Sequence, residues 1–205
     1  MSPQLSPARE LAGDPPEYSP EERRMLLRLA RQAMQAALVG EKLELAPPPD
    51  HLCEPRGAFT TLHLDGKLRG CVGYVFPVRP LHRAVAETAV AAALNDPRFL
   101  PVSSEEFPDL KVEISVLSSV AVIAPQDIAI GRHGLLITHR SRRGLLLPQV
   151  ALQYGWDVLR FLAETCHKAG LPPDAWEHGA TVEAFTAEIF HEAEFADLAS
   201  AASAH

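Results

Sequence analysis

An arginine, two glycines and a cysteine crowd into "DGKLRGCVGY", residues 65–74. The Asp65-Gly66 pair predicts a two-residue hairpin turn, because both positions suit positive backbone dihedrals. With that turn Leu64 faces Lys67, Leu62 faces Arg69 and Thr60 faces Cys71. Alternation then gathers Thr60, Leu62, Leu64, Lys67, Arg69 and Cys71 on one side of the ribbon, with Phe59, His63, Leu68 and Val72 on the other. A guanidinium beside a thiol favours the thiolate, the nucleophilic form. Gly70 and Gly73 remove side chains on either side, which lets a ligand or another backbone approach the strand. The chemistry so described is a reactive thiol or an anion-binding notch. The same residues also have a plain structural reading, in which the glycines mark a bulge and the cysteine packs.

The elements that must position this stretch are legible on either side of it. "SPEE" predicts a helix start, with Ser19 as N-cap, Pro20 at the first helical position and Glu22 closing a capping box. Met25, Leu26, Leu29, Ala33 and Ala36 are the expected apolar stripe, Gly40 the stop, and "APPPD" at 46–50 a stiff linker. After the hairpin, "PLHRAVAETAVAAALNDPRF" predicts an alanine-rich helix ending near Asn95, since Pro97 disfavours helical geometry at Asp96. "KVEISVLSSVAVI" alternates as a strand, with Val112, Ile114 and Val116 on one face and Lys111, Glu113 and Ser115 on the other. "GRHGLLITHRSRRGLLLPQV" predicts two strands joined by a basic turn, the second ended by Pro148. "GWDVLRFLAETCHKAG" predicts a helix with Gly170 as its cap, and "TVEAFTAEIFHE" one closing strand. Adjacent groups of strands separated by helices favour an α+β fold with a largely antiparallel sheet.

Composition narrows the function classes. The chain has 205 residues and a formal charge of −7, so no overall field draws in polyanions. Nucleic acid or an anionic membrane would need a local site, and "HRSRRG" at 139–144 is the candidate; it lacks interleaved aromatic platforms. No apolar run reaches membrane-spanning length and no leader pattern opens the chain, which makes the cytoplasm the default compartment. Cys53, Cys71 and Cys166 form no C-x-x-C pair and are treated as thiols, with Cys166 on an apolar helix stripe and Cys53 without a legible role. His63, His133 and His139 lack metal-ligand spacing, so no metal site is expected, and nothing in the residues names a cofactor.

"GAFTTLHLDGKLRGCVGY" resembles the signature hairpin of the AMMECR family. "DPRF", "VEISVLS", "IGRHGLLI", "LLLPQVA" and "FLAETCHKAGL" continue the resemblance in order, over residues 20–192. Val72 stands where the family more often has isoleucine. The resemblance implies an α+β fold with an internal duplication, a strongly curved, barrel-like sheet and two lobes. Composition makes residues 1–18 a mobile tail and 196–205 a weakly structured one, and the resemblance makes 19–195 the AMMECR domain, with a smaller lobe at 56–110 and a larger one in the remainder. It further implies a place in the AmmeMemoRadiSam system, beside Memo-like and radical SAM proteins. The expected site is a cleft between lobes, with Cys71 and Arg69 as the reacting pair and Gly70, Gly73, Thr60, Asp96 and Arg98 as substrate contacts. The other class of function is an adaptor that docks a protein partner on the same strand, with Cys71 as a packing residue.

Overall fold

A computed structural model describes residues 16–195. Of the tails expected at 1–18 and 196–205, residues 1–15 and 196–205 lie outside the described residues. The chain runs as helix α1 (Pro20–Leu38), strands β1 (Gly57–Leu64) and β2 (Lys67–Tyr74), helix α2 (Leu81–Leu94), strands β3 (Lys111–Leu117), β4 (Ala121–Val122), β5 (Gly134–His139) and β6 (Arg142–Leu146), helices α3 (Pro148–Tyr154) and α4 (Val158–Lys168), and strands β7 (Thr181–Phe185) and β8 (Ala187–His191).

Local chemistry sets most of these boundaries. The Ser19–Glu22 capping box and Pro20 start α1. Asp65 and Gly66, both at positive φ, turn β1 into β2. The Asp157 carboxylate accepts the Arg160 N–H at 2.7 Å and starts α4. Pro148 does more than end a strand. It sits in the first turn of α3, a short helix that the sequence pattern did not announce. The buried stripe of α1 is Leu26, Leu27, Ala30, Ala33 and Met34, while Met25, expected inside, is 42% exposed. Tyr18, placed in the tail by composition, is buried and stacks on His51 with ring centroids 4.9 Å apart, so the fold begins ahead of Ser19.

The strands make two open, four-stranded antiparallel sheets, β2-β1-β3-β8 and β4-β7-β5-β6, where the resemblance implies one barrel-like sheet. The duplication is explicit in this order. A hairpin, a helical connection (α2 in one half, α3 and α4 in the other) and a return strand give β2-β1-β3 and β6-β5-β7. Each return strand then continues into a fourth strand that joins the other half's sheet, β3 through Ser118 into β4 and β7 through Thr186 into β8. The expected single closing strand is therefore two, parted at Thr186. The crossings are tied together, with Ser118 N–H donating to the Thr186 carbonyl at 3.0 Å and Thr186 N–H to the Ser118 hydroxyl at 2.9 Å.

Each half has its own core. One gathers α1, α2 and the inner face of the first sheet around Leu62, Val85, Ala89 and Ile114; the other gathers α4 and the second sheet around Leu135, Ile137, Phe161 and Cys166. The same device seats the helix in both. Gly70 of β2 lies under the Ala92 carbonyl of α2, and Gly144 of β6 lies under the backbone of Lys168 and Ala169 at the end of α4. A Cβ at either position would overlap that backbone, so glycine is what allows each helix to reach its sheet.

Candidate functional site

The register of β1 and β2 decides which of the expected site residues can meet. Pairing starts as the turn requires, Leu64 with Lys67 and His63 with Leu68, and then slips, so that Leu62 pairs with Gly70, Thr61 with Cys71 and Thr60 with Val72. Arg69 is the extra residue of a β-bulge. The strict alternation expected from the turn is overturned at that point. Cys71 faces Thr61, and Thr60 turns inward, fully buried, where its hydroxyl lies 2.8 Å from that of Thr88. His63, expected opposite Cys71, shares its face, because β1 alternates regularly against β3.

The bulge also sends Arg69 away from the thiol. Its Nε and Nη2 donate to the two Glu106 oxygens at 3.1 and 3.0 Å, and Nη1 and Nη2 to the carbonyls of Leu100 and Pro101 at 2.9 and 3.3 Å. This fork holds the Glu106 carboxyl below its usual range. Arg69 is thus occupied in tying the 100–106 segment to β2. The two glycines are occupied as well: Gly70 by the α2 backbone and Gly73 by the Phe59 ring lying over it. Of the expected substrate contacts, Thr60, Gly70 and Gly73 are filled from within the protein.

Cys71, Asp96 and Arg98 do come together. β2 is an edge strand, and its outward backbone groups at Cys71 are taken by the segment that follows α2. Cys71 N–H donates to Asp96 Oδ2 at 2.8 Å, and Arg98 Nη2 donates to the Cys71 carbonyl at 3.0 Å. Arg98 in turn grips Asp96 through Nε at 2.9 Å and Nη2 at 2.6 Å, and its backbone N–H reaches Oδ1 at 3.1 Å. "DPR" is therefore a clamp on the sheet edge, the place where an unpaired strand otherwise invites another chain. Asp96 is 5% exposed, and its carboxyl is held well below the ordinary range, chiefly by the Arg98 hydrogen bond. Arg98 is pushed up chiefly by Asp96, with Cys71 contributing through space and as a hydrogen-bond partner. The cation held against Cys71 is Arg98, through the Cys71 carbonyl.

Because both backbone groups of Cys71 point outward, Thr61 and Cys71 form the closer, non-hydrogen-bonded type of pair, with side chains side by side. The Thr61 hydroxyl lies 3.4 Å from Cys71 Sγ and donates to it. The thiol is partly exposed. Register extends this pair into a row across the sheet: Cys71, Thr61, Glu113, His191. Thr61, Glu113 and His191 were invisible to sequence reasoning, since strand partners far apart in the chain carry no local signature.

The remaining expectations fall outside this face. Cys166 is fully buried and burial pushes its thiol up, whereas Cys53 is exposed. In the basic turn, Arg142 donates to the Gly170 carbonyl at 2.5 Å and Arg143 lies 5.1 Å over the Phe76 ring. A groove of about 570 Å³ runs along α1, walled by Met25, Leu29, Leu43, Leu45 and Pro47, and no residue of the β1–β2 hairpin lines it. Among the described residues no group of three His, Cys, Asp or Glu is arranged to hold a metal ion, and no helix is long and apolar enough to cross a membrane.

Residues 27–190 match the AMMECR1 family. A protein of Methanothermobacter thermautotrophicus is 46% identical over 189 residues, spanning 86% of this chain and 98% of its own length. Protein MJ0810 of Methanocaldococcus jannaschii is 45% identical over 184 residues, 85% of this chain and 92% of its own. The crystal structure of uncharacterized protein PH0010 from Pyrococcus horikoshii superposes with a TM-score of 0.75 at 44% identity, covering 82% of this chain and 89% of that one.

Proposed function

The chain belongs to the AMMECR1 family, and on that footing we propose that Cys71 and Arg98 form its working site, an outward-facing thiol paired with a guanidinium. The observation that carries this reading is the placement of Arg98, whose guanidinium binds the Cys71 carbonyl, while Asp96 accepts both the Cys71 N–H and the Arg98 fork. A guanidinium held there stabilises the negative charge that sulfur carries as it attacks. The Thr61 hydroxyl adds a hydrogen bond that orients the sulfur. Arg69, Gly70, Gly73 and Thr60 support the fold of the site and do not meet its ligand. In this reading the protein is a cytoplasmic catalytic accessory. It presents Cys71 to a substrate or partner, and the Memo-like and radical SAM proteins that the family resemblance associates with it are its proposed partners.

Neutral alkylation tests the thiol directly, because exposed Cys53 is an internal reference and Cys166 is sealed. With iodoacetamide at neutral pH and peptide mapping, Cys71 is expected to label several-fold faster than Cys53, and Arg98→Met to remove that advantage. Labelling of Cys71 no faster than Cys53 would discard the reactive-thiol reading. A second reading, docking of a protein partner on this edge, draws support from Leu100, 83% exposed, and Leu68, 41% exposed, which flank the Arg69 fork. Loss of partner capture by Leu100→Asp with Cys71 labelling intact would favour it.

A further inference from the structure

Arg98 uses only part of its donor set. Nε and Nη2 face Asp96, and Nη2 also serves the Cys71 carbonyl, which leaves Nη1 without a hydrogen bond to oxygen among the described residues. The side chain is 53% exposed although Asp96 beneath it is almost sealed. A guanidinium gripped along one edge presents its remaining N–H groups in a fixed direction, at little further entropic cost. That guanidinium is held at Cys71 itself, with Nη2 3.0 Å from the Cys71 carbonyl and the Cys71 N–H bound to the same Asp96 carboxylate. Arg69 has no such spare capacity, with all three guanidinium nitrogens engaged.

We propose that the Cys71–Arg98 site takes ligands carrying an oxyanion, a carboxylate or phosphate that docks on Arg98 Nη1 while the ligand's thiol-reactive atom meets Cys71 Sγ. The inference rests on the reactive-thiol reading and names its substrate class. The charge at the clamp is balanced, Asp96 against Arg98 and Glu106 against Arg69, and Glu113 stands two strands across the same face. Selectivity for an anion therefore comes from directed hydrogen bonds more than from a net field, and it is modest and local.

Paired alkylating agents of one shape and two charges read this out. In both, the Cys71 thiolate forms a C–S bond, the C–I bond breaks, iodide leaves with the electron pair, and the thiol proton has gone to solvent. Iodoacetate carries the carboxylate and iodoacetamide does not. Each Cys71 rate is divided by the Cys53 rate in the same molecule, and the two quotients are compared. Cys53 sits beside Asp50 and Glu54, so the Arg98 variants, in which that background is constant, make the comparison. Wild type is expected to favour iodoacetate at Cys71 by about threefold or more relative to Arg98→Met, with Arg98→Lys retaining part of the preference. Inorganic phosphate and acetate, added separately at millimolar concentration, are expected to slow Cys71 alkylation in wild type alone, and whichever protects better identifies the preferred oxyanion. Equal quotients in wild type and in a folded Arg98→Met would overturn the inference while leaving the thiol reading intact. Failure of both reagents to reach Cys71 would instead overturn that reading and the inference with it.

Discussion

The two hairpins repeat one plan and differ by one residue. In each, an Arg-Gly pair sits on the outer strand, Arg69-Gly70 and Arg143-Gly144, and the glycine admits the end of a later helix, α2 in the first half and α4 in the second. From Ser141 to Gly144 is three positions, and from Gly66 to Gly70 is four. The extra residue becomes the bulge at Arg69. In the second half β6 pairs without a slip, Leu145 stands where Cys71 stands in the first, and Arg142 simply reaches the Gly170 carbonyl. In the first half the slip turns Cys71 toward Thr61 and sends Arg69 to Glu106, while the edge is closed by Asp96 and Arg98. What the halves share is therefore packing, and what only the first half has is the proposed thiol–guanidinium pair. The glycines belong to the first category.

The largest effects should break the shared part equally. Gly70→Ala and Gly144→Ala each put a Cβ into helix backbone and should destabilise by about 3 kcal/mol or more in urea unfolding. A loss confined to one of them would deny that the two glycines do the same job. Next comes Asp96→Asn, expected to cost about 2 kcal/mol because it weakens a buried clamp whose arginine is half solvated. The pH dependence has a definite sign. The Asp96 carboxyl is lower in the folded protein than in the unfolded chain, so its contribution is complete above the unfolded value near pH 4 and is lost as pH falls below it. The stability gap between wild type and Asp96→Asn should thus hold from about pH 7 to 5 and narrow below about pH 4. Arg69→Met should cost about 1 kcal/mol, through loss of the partly exposed fork to Glu106, with the thiol's reactivity unchanged. Thr61→Val, the smallest, should leave stability within about 0.5 kcal/mol and slow Cys71 alkylation about twofold, as a single weak hydrogen bond to sulfur allows.

Much of the fold was legible, for local reasons. Ser19 with Glu22, Asp65 with Gly66, and Pro97 after Asp96 each fix a boundary through the few residues around them. The bulge was not, because it is settled between strands. Turn chemistry specifies where pairing begins, whereas the fit of Gly70 under Ala92 specifies where it must be two pairs later, and the two demands differ by one residue. The unequal spacing to Gly70 and Gly144 was the available signal. The crossing at Thr186 was hidden for a similar reason, since "TVEAFTAEIFHE" alternates well enough for one strand and only its partners divide it. The sequence does not tell which arginine meets Cys71: Arg69 is near it in the chain but binds Glu106, and Arg98 reaches its carbonyl in space.

The most direct test sets Arg98→Met against Arg69→Met. Both variants, shown to be folded by their unfolding transitions, are labelled with iodoacetamide at neutral pH and mapped at Cys71 and Cys53. Arg98→Met should slow Cys71 several-fold and Arg69→Met should leave it at the wild-type rate. Slowing by Arg69→Met with no effect of Arg98→Met would contradict the account.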